Sequence, residues 1–193
     1  MEKYLVVSPG RSGSTTFKNH IKNSLKNKDV PCTVEQLEMP MLWPEAEENP
    51  QEWNIVICYR RDMLAQVLSF YTIVLSKQTQ KWKDIELEPF VVPRIPFWMF
   101  AHGILFFHYR VFGVKEWPNF KSIHWFVYED MFKDWNAVGK QLGFDDWSNA
   151  SEGHAIGYGS VWDKVINKEE VLSWVKELQK HYHQFTVDLS QYT

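Results

Sequence analysis

The stretch Tyr4-Leu5-Val6-Val7-Ser8-Pro9-Gly10-Arg11-Ser12-Gly13-Ser14-Thr15-Thr16 decides the fold. Its first four residues are apolar and predict a short buried strand, while the residues from Thr15 to Leu25 have the spacing of an amphipathic helix. The turn between them contains two glycines and several hydroxyl side chains. A strand, a glycine-containing loop and a helix in this order predict the first unit of a parallel sheet.

Strand-like and helical runs alternate along the rest of the chain, which predicts an α/β fold in three layers, α/β/α, with a central parallel sheet. We expect residues 1–193 to form one domain, with residues 78–96 as a lid or acceptor loop. Further strands are predicted at Cys32 to Leu37, Asn54 to Tyr59 and Ile123 to Tyr128. Further helices are predicted after a cap at Asp62, at Phe97 to Val111, at Trp135 to Leu142 with Gly143 closing it, and after Asn167 with Glu170 in a capping box. Irregular segments are predicted at Met39 to Glu52, Gln78 to Pro96 and Ser148 to Val165.

The glycine-containing loop predicts an anion site. The unpaired backbone N–H groups at the start of a helix point into such a loop, and the helix dipole adds positive potential. Gly10 and Gly13 let the backbone approach a ligand closely, and Arg11 adds a fixed charge. Hydroxyl donors follow at Ser12, Ser14, Thr15 and Thr16. The alternative is a turn that only caps the helix, which does not need so many donors.

The loop differs from that of ATP- and GTP-binding proteins, in which a Lys follows the second glycine. Ser14 follows Gly13 here, and the cation lies upstream at Arg11. The string resembles the 5'-phosphosulfate loop of sulfotransferases that use 3'-phosphoadenosine-5'-phosphosulfate (PAPS), in particular the bacterial trehalose-sulfotransferase and tyrosylprotein-sulfotransferase types. The resemblance implies a P-loop-like sulfotransferase fold, PAPS as the donor and adenosine 3',5'-bisphosphate (PAP) as the product, without a metal. It also implies that the donor is bound by Arg11, Ser12, Gly13, Ser14, Thr15 and Thr16.

A second motif follows the third predicted strand, in Tyr59-Arg60-Arg61-Asp62, and Ser69 lies eight residues after Arg61. This spacing resembles the sulfotransferase site for the donor's 3'-phosphate and selects Arg61 rather than Arg60. An Arg fork and a hydroxyl are suitable donors to a phosphate. The alternative is a solvated Arg pair at a helix start, where cations oppose the dipole.

Two later segments complete the resemblance. Val127-Tyr128-Glu129-Asp130 is similar to the family segment whose Tyr lies near the adenine, so Tyr128 is carried over as a donor-binding residue. Lys164, three residues before Asn167, resembles a Lys of the tyrosylprotein type that contacts the donor. The alternative for Tyr128 is a strand-end Tyr with a hydrogen-bonded hydroxyl. Thr16 stands where many family members have an adenine-stacking aromatic residue, and Phe17 follows it.

The resemblance assigns two chemical roles. Arg11 is expected to stabilise the leaving-group oxygen as charge develops there. A general base must take the acceptor proton, and the trehalose and tyrosylprotein types use a Glu soon after the second strand. Glu35 is our first candidate, followed by Glu38 and by the histidines His102, His108 and His124.

Composition limits the partners. The net charge of −3 argues against general nucleic-acid binding, and no apolar run is long enough for a membrane span. Cys32 and Cys58 read as buried free thiols, which favours a cytoplasmic location. The trehalose-type resemblance favours a glycan or small-molecule hydroxyl as acceptor, with which the ten Trp residues are compatible, and a phenol or tyrosine acceptor remains open. Two other functions remain open: a P-loop nucleotide kinase or hydrolase, and a PAP-binding protein without catalysis.

Overall fold

A parallel sheet of four strands organises the first part of the fold. In the computed structural model, which describes residues 1–10, 12–37, 44–76, 88–113, 117–131, 133–145, 147 and 158–192, the strands are Glu2–Val7 (β1), Cys32–Leu37 (β2), Trp53–Tyr59 (β3) and Ser122–Val127 (β4). Their order in the sheet is β2-β1-β3-β4. Because β2 and β3 lie on opposite sides of β1, the carboxyl ends of β1 and β3 form a topological switch point, which is where open α/β sheets bind ligands.

The described residues include eight α-helices, and none of them is long and apolar enough to cross a membrane. They are Ser14–Asn27 (α1), Pro44–Glu48 (α2), Met63–Ser76 (α3), Arg94–Phe112 (α4), Tyr128–Met131 (α5), Trp135–Gln141 (α6), Tyr158–Asp163 (α7) and Lys168–His181 (α8). Short 3₁₀ turns lie at Pro50–Glu52 and Leu189–Gln191.

The chain divides into two compact units. The first contains Met1–Arg60 and Phe107–Gly153, and therefore the whole sheet. The second contains Arg61–Phe106 and His154–Thr193, and its described elements are helices together with one isolated bridge between Phe90 and Val165.

In the first unit, helices cover both faces of the sheet because β1 and β3 are apolar on both sides. Tyr4 and Val6 of β1 pack in a cluster with Phe17 of α1 and Val138 of α6. The alternate residues of β1 point to the other face. A second cluster there contains Leu5, Val7, Phe107, Val111 and Ala46, from β1, α4 and α2. The α/β fold with a central parallel sheet between helices is thus confirmed.

In the second unit, α3, α4, α7 and α8 pack around an apolar core. Their contributions include Leu68, Phe97, Trp162 and Val175. Tyr71 of α3 extends this packing, since its hydroxyl donates to the Pro93 carbonyl at 2.9 Å, just before α4. This unit therefore has a core of its own.

Several predicted boundaries were wrong, each for a local reason. Residues 44–48 form α2 instead of a loop. Helix α4 begins at Arg94 rather than Phe97 and takes in Pro96, since proline is tolerated in the first turn, where backbone N–H groups have no partner in the helix. Residues 94–96 of the predicted lid are therefore helical, and its residues 78–87 lie outside the described part of the chain. Residues 158–163 of the predicted third loop form α7, and its residues 148–157 lie outside as well.

The predicted capping box at the last helix also differs. Asn167 is the N-cap of α8, but its side chain makes no cap bond to the helix backbone. Its Oδ1 instead accepts from the Val92 N–H at 2.8 Å, and its Nδ2 donates to the Val92 carbonyl at 3.0 Å. Nδ2 also donates to Glu170. The side chain thus joins the segment before α4 to the start of α8, a long-range contact that local sequence does not reveal.

Candidate anion-binding site

The loop between β1 and α1 is tied to the strands on both sides of β1. The Ser8 N–H donates to the Leu37 carbonyl at the end of β2, at 3.0 Å. The Ser12 hydroxyl donates to the Cys58 carbonyl near the end of β3, at 3.2 Å. Within the turn, the Gly10 N–H donates to Ser8 Oγ at 3.2 Å. These bonds hold the loop at the carboxyl edge of the sheet, at the switch point between β1 and β3.

Both loop glycines have left-handed backbone conformations, which disfavour residues with a Cβ. The φ angle is 71° at Gly10 and 81° at Gly13, which is the N-cap of α1. A Cβ at Gly13 would lie 2.6 Å from Met131 Cε and 3.3 Å from Tyr128 Cδ2. Gly13 is therefore required both by conformation and by space, and Tyr128 lies directly against the loop.

The N-terminal turn of α1 presents backbone donors without a local counter-charge. In the described residues it has no acidic side chain and no side-chain cap. The helix has 14 residues, so its dipole is well developed at this end. An anion at the loop would take the place that a capping oxygen takes in other helices.

The loop hydroxyls fall into two groups. Ser12 is fully buried, and its hydroxyl proton is directed at the Cys58 carbonyl, so the backbone of Ser12 is the part suited to a ligand. Ser14 and Thr15 instead share one donor, Nε2 of Gln36, at 3.0 and 3.3 Å from their oxygens. Gln36 is the penultimate residue of β2.

A buried cation lies beside the loop. Arg60 directly follows β3, is 2% exposed, and places its guanidinium carbon 3.7 Å from the centre of the Tyr128 ring. Tyr128 begins α5 rather than ending β4. Its ring lies against the Arg60 guanidinium and borders the position that a Cβ at Gly13 would occupy. Burial of a charge against an aromatic face is a cation–π contact in its stronger, desolvated form. Tyr128 thus joins Arg60 to the loop.

The predicted 3'-phosphate residues lie in the second unit. Arg61 is exposed, and its carbonyl accepts from the Thr186 hydroxyl at 2.6 Å. Asp62 caps α3 as predicted, since Oδ1 accepts from the Ala65 N–H at 2.9 Å. Ser69 lies in α3 and is buried.

Lys164 also belongs to the second unit and follows α7 directly. Its carbonyl accepts from the Phe90 N–H at 2.8 Å, next to a parallel bridge between Phe90 and Val165. Its side chain is half-buried. The backbone around Lys164 is thus held by the segment that precedes α4.

Two of the predicted catalytic residues, Arg11 and Glu38, lie outside the described residues. Glu35 is half-buried in β2, where it pairs in register with Leu5, while Gln36 pairs with Val6. Since successive side chains of a strand point to opposite faces, Glu35 lies on the face away from α1 and Gln36 on the face that α1 covers. The side chains of these adjacent residues of β2 therefore lie on opposite faces of the sheet.

The three candidate histidines differ in environment. His102 is exposed on α4, and its Nδ1 donates to the Trp98 carbonyl at 2.8 Å. His108 is buried between Tyr59 and Phe112, and burial lowers its pKa from 6.5 to about 4. His124 lies in the first half of β4, away from the carboxyl edge, and burial lowers its pKa as well.

Sequence reasoning missed two residues of this site. It treated Arg60 as an alternative register for Arg61 and did not consider Gln36. Both follow from the sheet: Gln36 lies beside the loop because β2 pairs with β1, and Arg60 follows a strand between β1 and β4. The signal that could have found them is strand order, which the sequence does not state.

Comparisons of the chain with protein-family models, with curated proteins and with solved structures found no match.

Proposed function

We propose that this protein is a sulfotransferase that uses PAPS. The acceptor hydroxyl oxygen attacks sulfur in line with the bond to the leaving phosphate. The new O–S bond forms as the old S–O bond breaks, PAP departs, and the acceptor proton passes to a general base, for which Glu35 is the first candidate. The acceptor is a carbohydrate or another small molecule with a hydroxyl group.

The observation that carries the proposal is the loop geometry at the switch point. Gly13 is in the left-handed conformation at the start of α1, and Ser14 and Thr15 place their hydroxyls in the first turn. Backbone N–H groups, the helix dipole and hydroxyl donors together make a site for a tetrahedral oxyanion group such as a phosphosulfate.

The residue after Gly13 distinguishes the proposal from an ATP- or GTP-using enzyme. A P-loop places Lys there to reach the β- and γ-phosphates. Here the position holds Ser14, which is buried and receives a hydrogen bond from Gln36. The resemblance of Arg11 and of the Arg61 and Ser69 spacing to sulfotransferases adds the 3'-phosphate to the proposed ligand.

Calorimetry with purified protein tests the donor. We expect PAP to bind more tightly than ATP with Mg²⁺, and more tightly than 5'-AMP, because only PAP carries the 3'-phosphate. A preference for ATP that does not depend on the 3'-phosphate would favour the kinase or hydrolase alternative and overturn the proposal.

A transfer assay separates the enzyme from a PAP-binding protein without catalysis. PAPS labelled with ³⁵S is incubated with a panel of mono- and disaccharides, glycolipids and phenols. Label transferred to an acceptor, with PAP formed in equal amount, is the expected result. Tight PAP binding without transfer to any acceptor would support the non-catalytic alternative.

A further inference from the structure

Gln36 bridges two hydroxyl side chains of the anion loop. Its amide nitrogen lies 3.0 Å from Ser14 Oγ and 3.3 Å from Thr15 Oγ1. Ser14 is buried and Thr15 exposed, so the bridge extends from the interior to the surface of the first turn of α1. One side chain therefore contacts two of the predicted donor-binding residues.

The position of Gln36 is fixed by the sheet rather than by the loop. Gln36 pairs in register with Val6 of β1, one residue before the end of each strand. It points to the face that α1 covers, as Val34 does two residues earlier. The amide thus approaches α1 from the rigid carboxyl edge of β2.

The chemistry of a hydroxyl makes this contact directional. A hydroxyl has one proton to donate and two lone pairs that accept. When an amide N–H donates to the oxygen, the hydroxyl's own proton turns away from the amide. Two hydroxyls held in this way present two protons on the side opposite Gln36.

We propose that Gln36 is a positioning residue of the anion site: by donating to Ser14 and Thr15 it directs both hydroxyl protons towards the bound anion. The inference rests on the proposed function only in naming that anion as the 5'-phosphosulfate group of PAPS. Ser12 does not take part, because its proton is directed at the Cys58 carbonyl. The direction in which the hydroxyls of Ser14 and Thr15 donate is therefore set by a residue of the neighbouring strand β2.

If the Gln36 side-chain amide were turned round, the hydroxyl protons of Ser14 and Thr15 would point towards Gln36 instead of towards the anion. With Oε1 of Gln36 towards α1, both hydroxyls would donate to Gln36 and present only lone pairs to a ligand, which would repel an anion. Gln36→Glu imitates this state, because a carboxylate only accepts. Gln36→Met keeps the length of the side chain and removes the donor without adding charge.

A double-mutant cycle tests the inference, with calorimetric dissociation constants for PAP and for inorganic pyrophosphate. We expect Gln36→Met to weaken binding of both probes about tenfold, which corresponds to one hydrogen bond to a charged group. Gln36→Glu should weaken it further. In the Ser14→Ala/Thr15→Val background, Gln36→Met should change binding less than twofold, because the hydroxyls through which Gln36 acts are gone.

The control cycle pairs Gln36→Met with Ser12→Ala. Since Ser12 bonds to Cys58 and not to Gln36, the two effects on binding should multiply independently. Thermal unfolding of each variant without ligand separates a general loss of stability from a change in the site.

Three results would overturn the inference: additive effects of Gln36 with Ser14 and Thr15, binding of Gln36→Met within twofold of the wild type, or no anion binding by the wild type. Failure of the proposed function has a different signature. If the wild type binds ATP as tightly as PAP while the cycle is non-additive, the sulfotransferase proposal falls and the role of Gln36 stands.

Discussion

The guanidinium carbon of Arg60 lies 3.7 Å from the centre of the Tyr128 ring, and Tyr128 in turn lies against Gly13. Arg60 directly follows β3, and Tyr128 directly follows β4. The contact therefore joins the ends of two adjacent strands and supports the anion loop from the side. It also brings a positive charge close to the site where an anion is expected.

We expect Arg60→Met to lower the free energy of unfolding by about 2 kcal/mol, because a desolvated cation–π contact is lost. The measurement is urea unfolding of the purified protein. Tyr128→Phe keeps the ring, so the effect of Arg60→Met should persist in that background. In a Tyr128→Leu background, where the ring is absent, the effect of Arg60→Met should shrink by about 1 kcal/mol or more, as expected for residues in contact.

Lys28→Met is the matched control for this contact. Lys28 is exposed and lies 5.8 Å from the Phe144 ring centre, so its loss should change stability by less than about 0.5 kcal/mol. Equal effects of Arg60→Met in the Phe and Leu backgrounds would show that the guanidinium does not act through the Tyr128 ring.

Gly13→Ala should destabilise the protein by about 2 kcal/mol or more, since a left-handed residue with a Cβ costs roughly 1–2 kcal/mol and Met131 must also move. It should weaken PAP binding as well. Gly143→Ala separates these effects, because Gly143 has a φ of 80° but no atom of the described residues within 4 Å of its Cβ position. It should carry the conformational cost alone and leave PAP binding unchanged.

Gly103→Ala completes this series. Gly103 lies inside α4, and no atom of a neighbouring side chain in the described part of the chain comes within 4 Å of its Cβ position, so alanine should stabilise the helix by about 0.5–1 kcal/mol. Thermal unfolding of the three variants ranks their stabilities, and we expect Gly103→Ala to be the most stable and Gly13→Ala the least. A Gly13→Ala variant as stable as Gly143→Ala would show that Met131 gives way without cost.

Arg61→Ala should weaken binding of PAP about ten- to a hundredfold and leave 5'-AMP binding unchanged, because only PAP carries the 3'-phosphate that Arg61 is proposed to bind. Calorimetry with both ligands makes the comparison. Arg94→Ala is the control, since Arg94 is an exposed Arg at the start of α4 in the same unit. An equal loss for both ligands would remove Arg61 from the 3'-phosphate site.

Glu35→Gln should lower kcat by about 10²–10⁴-fold and leave the dissociation constant of PAP unchanged, as expected for a general base. Glu35 and Gln36 are neighbours on opposite faces of β2. The Glu35 variant should therefore lose transfer and keep PAP binding, whereas the Gln36 variants should lose PAP binding. Single-turnover transfer from labelled PAPS and PAP calorimetry give the two readouts. Unchanged turnover would leave Glu38, His102 or His108 as the base.

The elements of this fold were predictable where the sequence pattern is local. The apolar runs of β1 and β3 and the glycine of the loop predict a βα unit without knowledge of the rest of the chain. Asp62 was correctly predicted to cap α3, because its bond to the Ala65 N–H lies within one turn. Such features depend on neighbours a few residues away.

The missed features depend on contacts between distant segments. Gln36 contacts Ser14 only because β2 lies beside β1, and Asn167 bonds to Val92 across 75 residues of chain. Tyr128 was predicted to end the fourth strand, whereas the structure begins a helix there. Strand order and register decide such contacts, and a single sequence does not specify them.

We expect His108 to make the stability of the protein depend on pH. Burial lowers its pKa from 6.5 to about 4, so the folded state binds fewer protons than the unfolded state between these values. The stability that the fold gains from a neutral His108 is therefore fully present above about pH 6.5 and is lost as the pH falls towards 4. Between pH 7 and pH 5 this loss amounts to about 2 kcal/mol.

His108→Phe removes the titration and keeps a ring against Tyr59 and Phe112, whose ring centres lie 6.0 and 5.2 Å from that of His108. We expect the free energy of unfolding of the variant to fall by about 2 kcal/mol less than that of the wild type between pH 7 and pH 5. Urea unfolding at several pH values measures both curves. Because a phenyl ring does not ionise, parallel curves would mean that His108 keeps an ordinary pKa in the folded protein and that its burial is not maintained in solution.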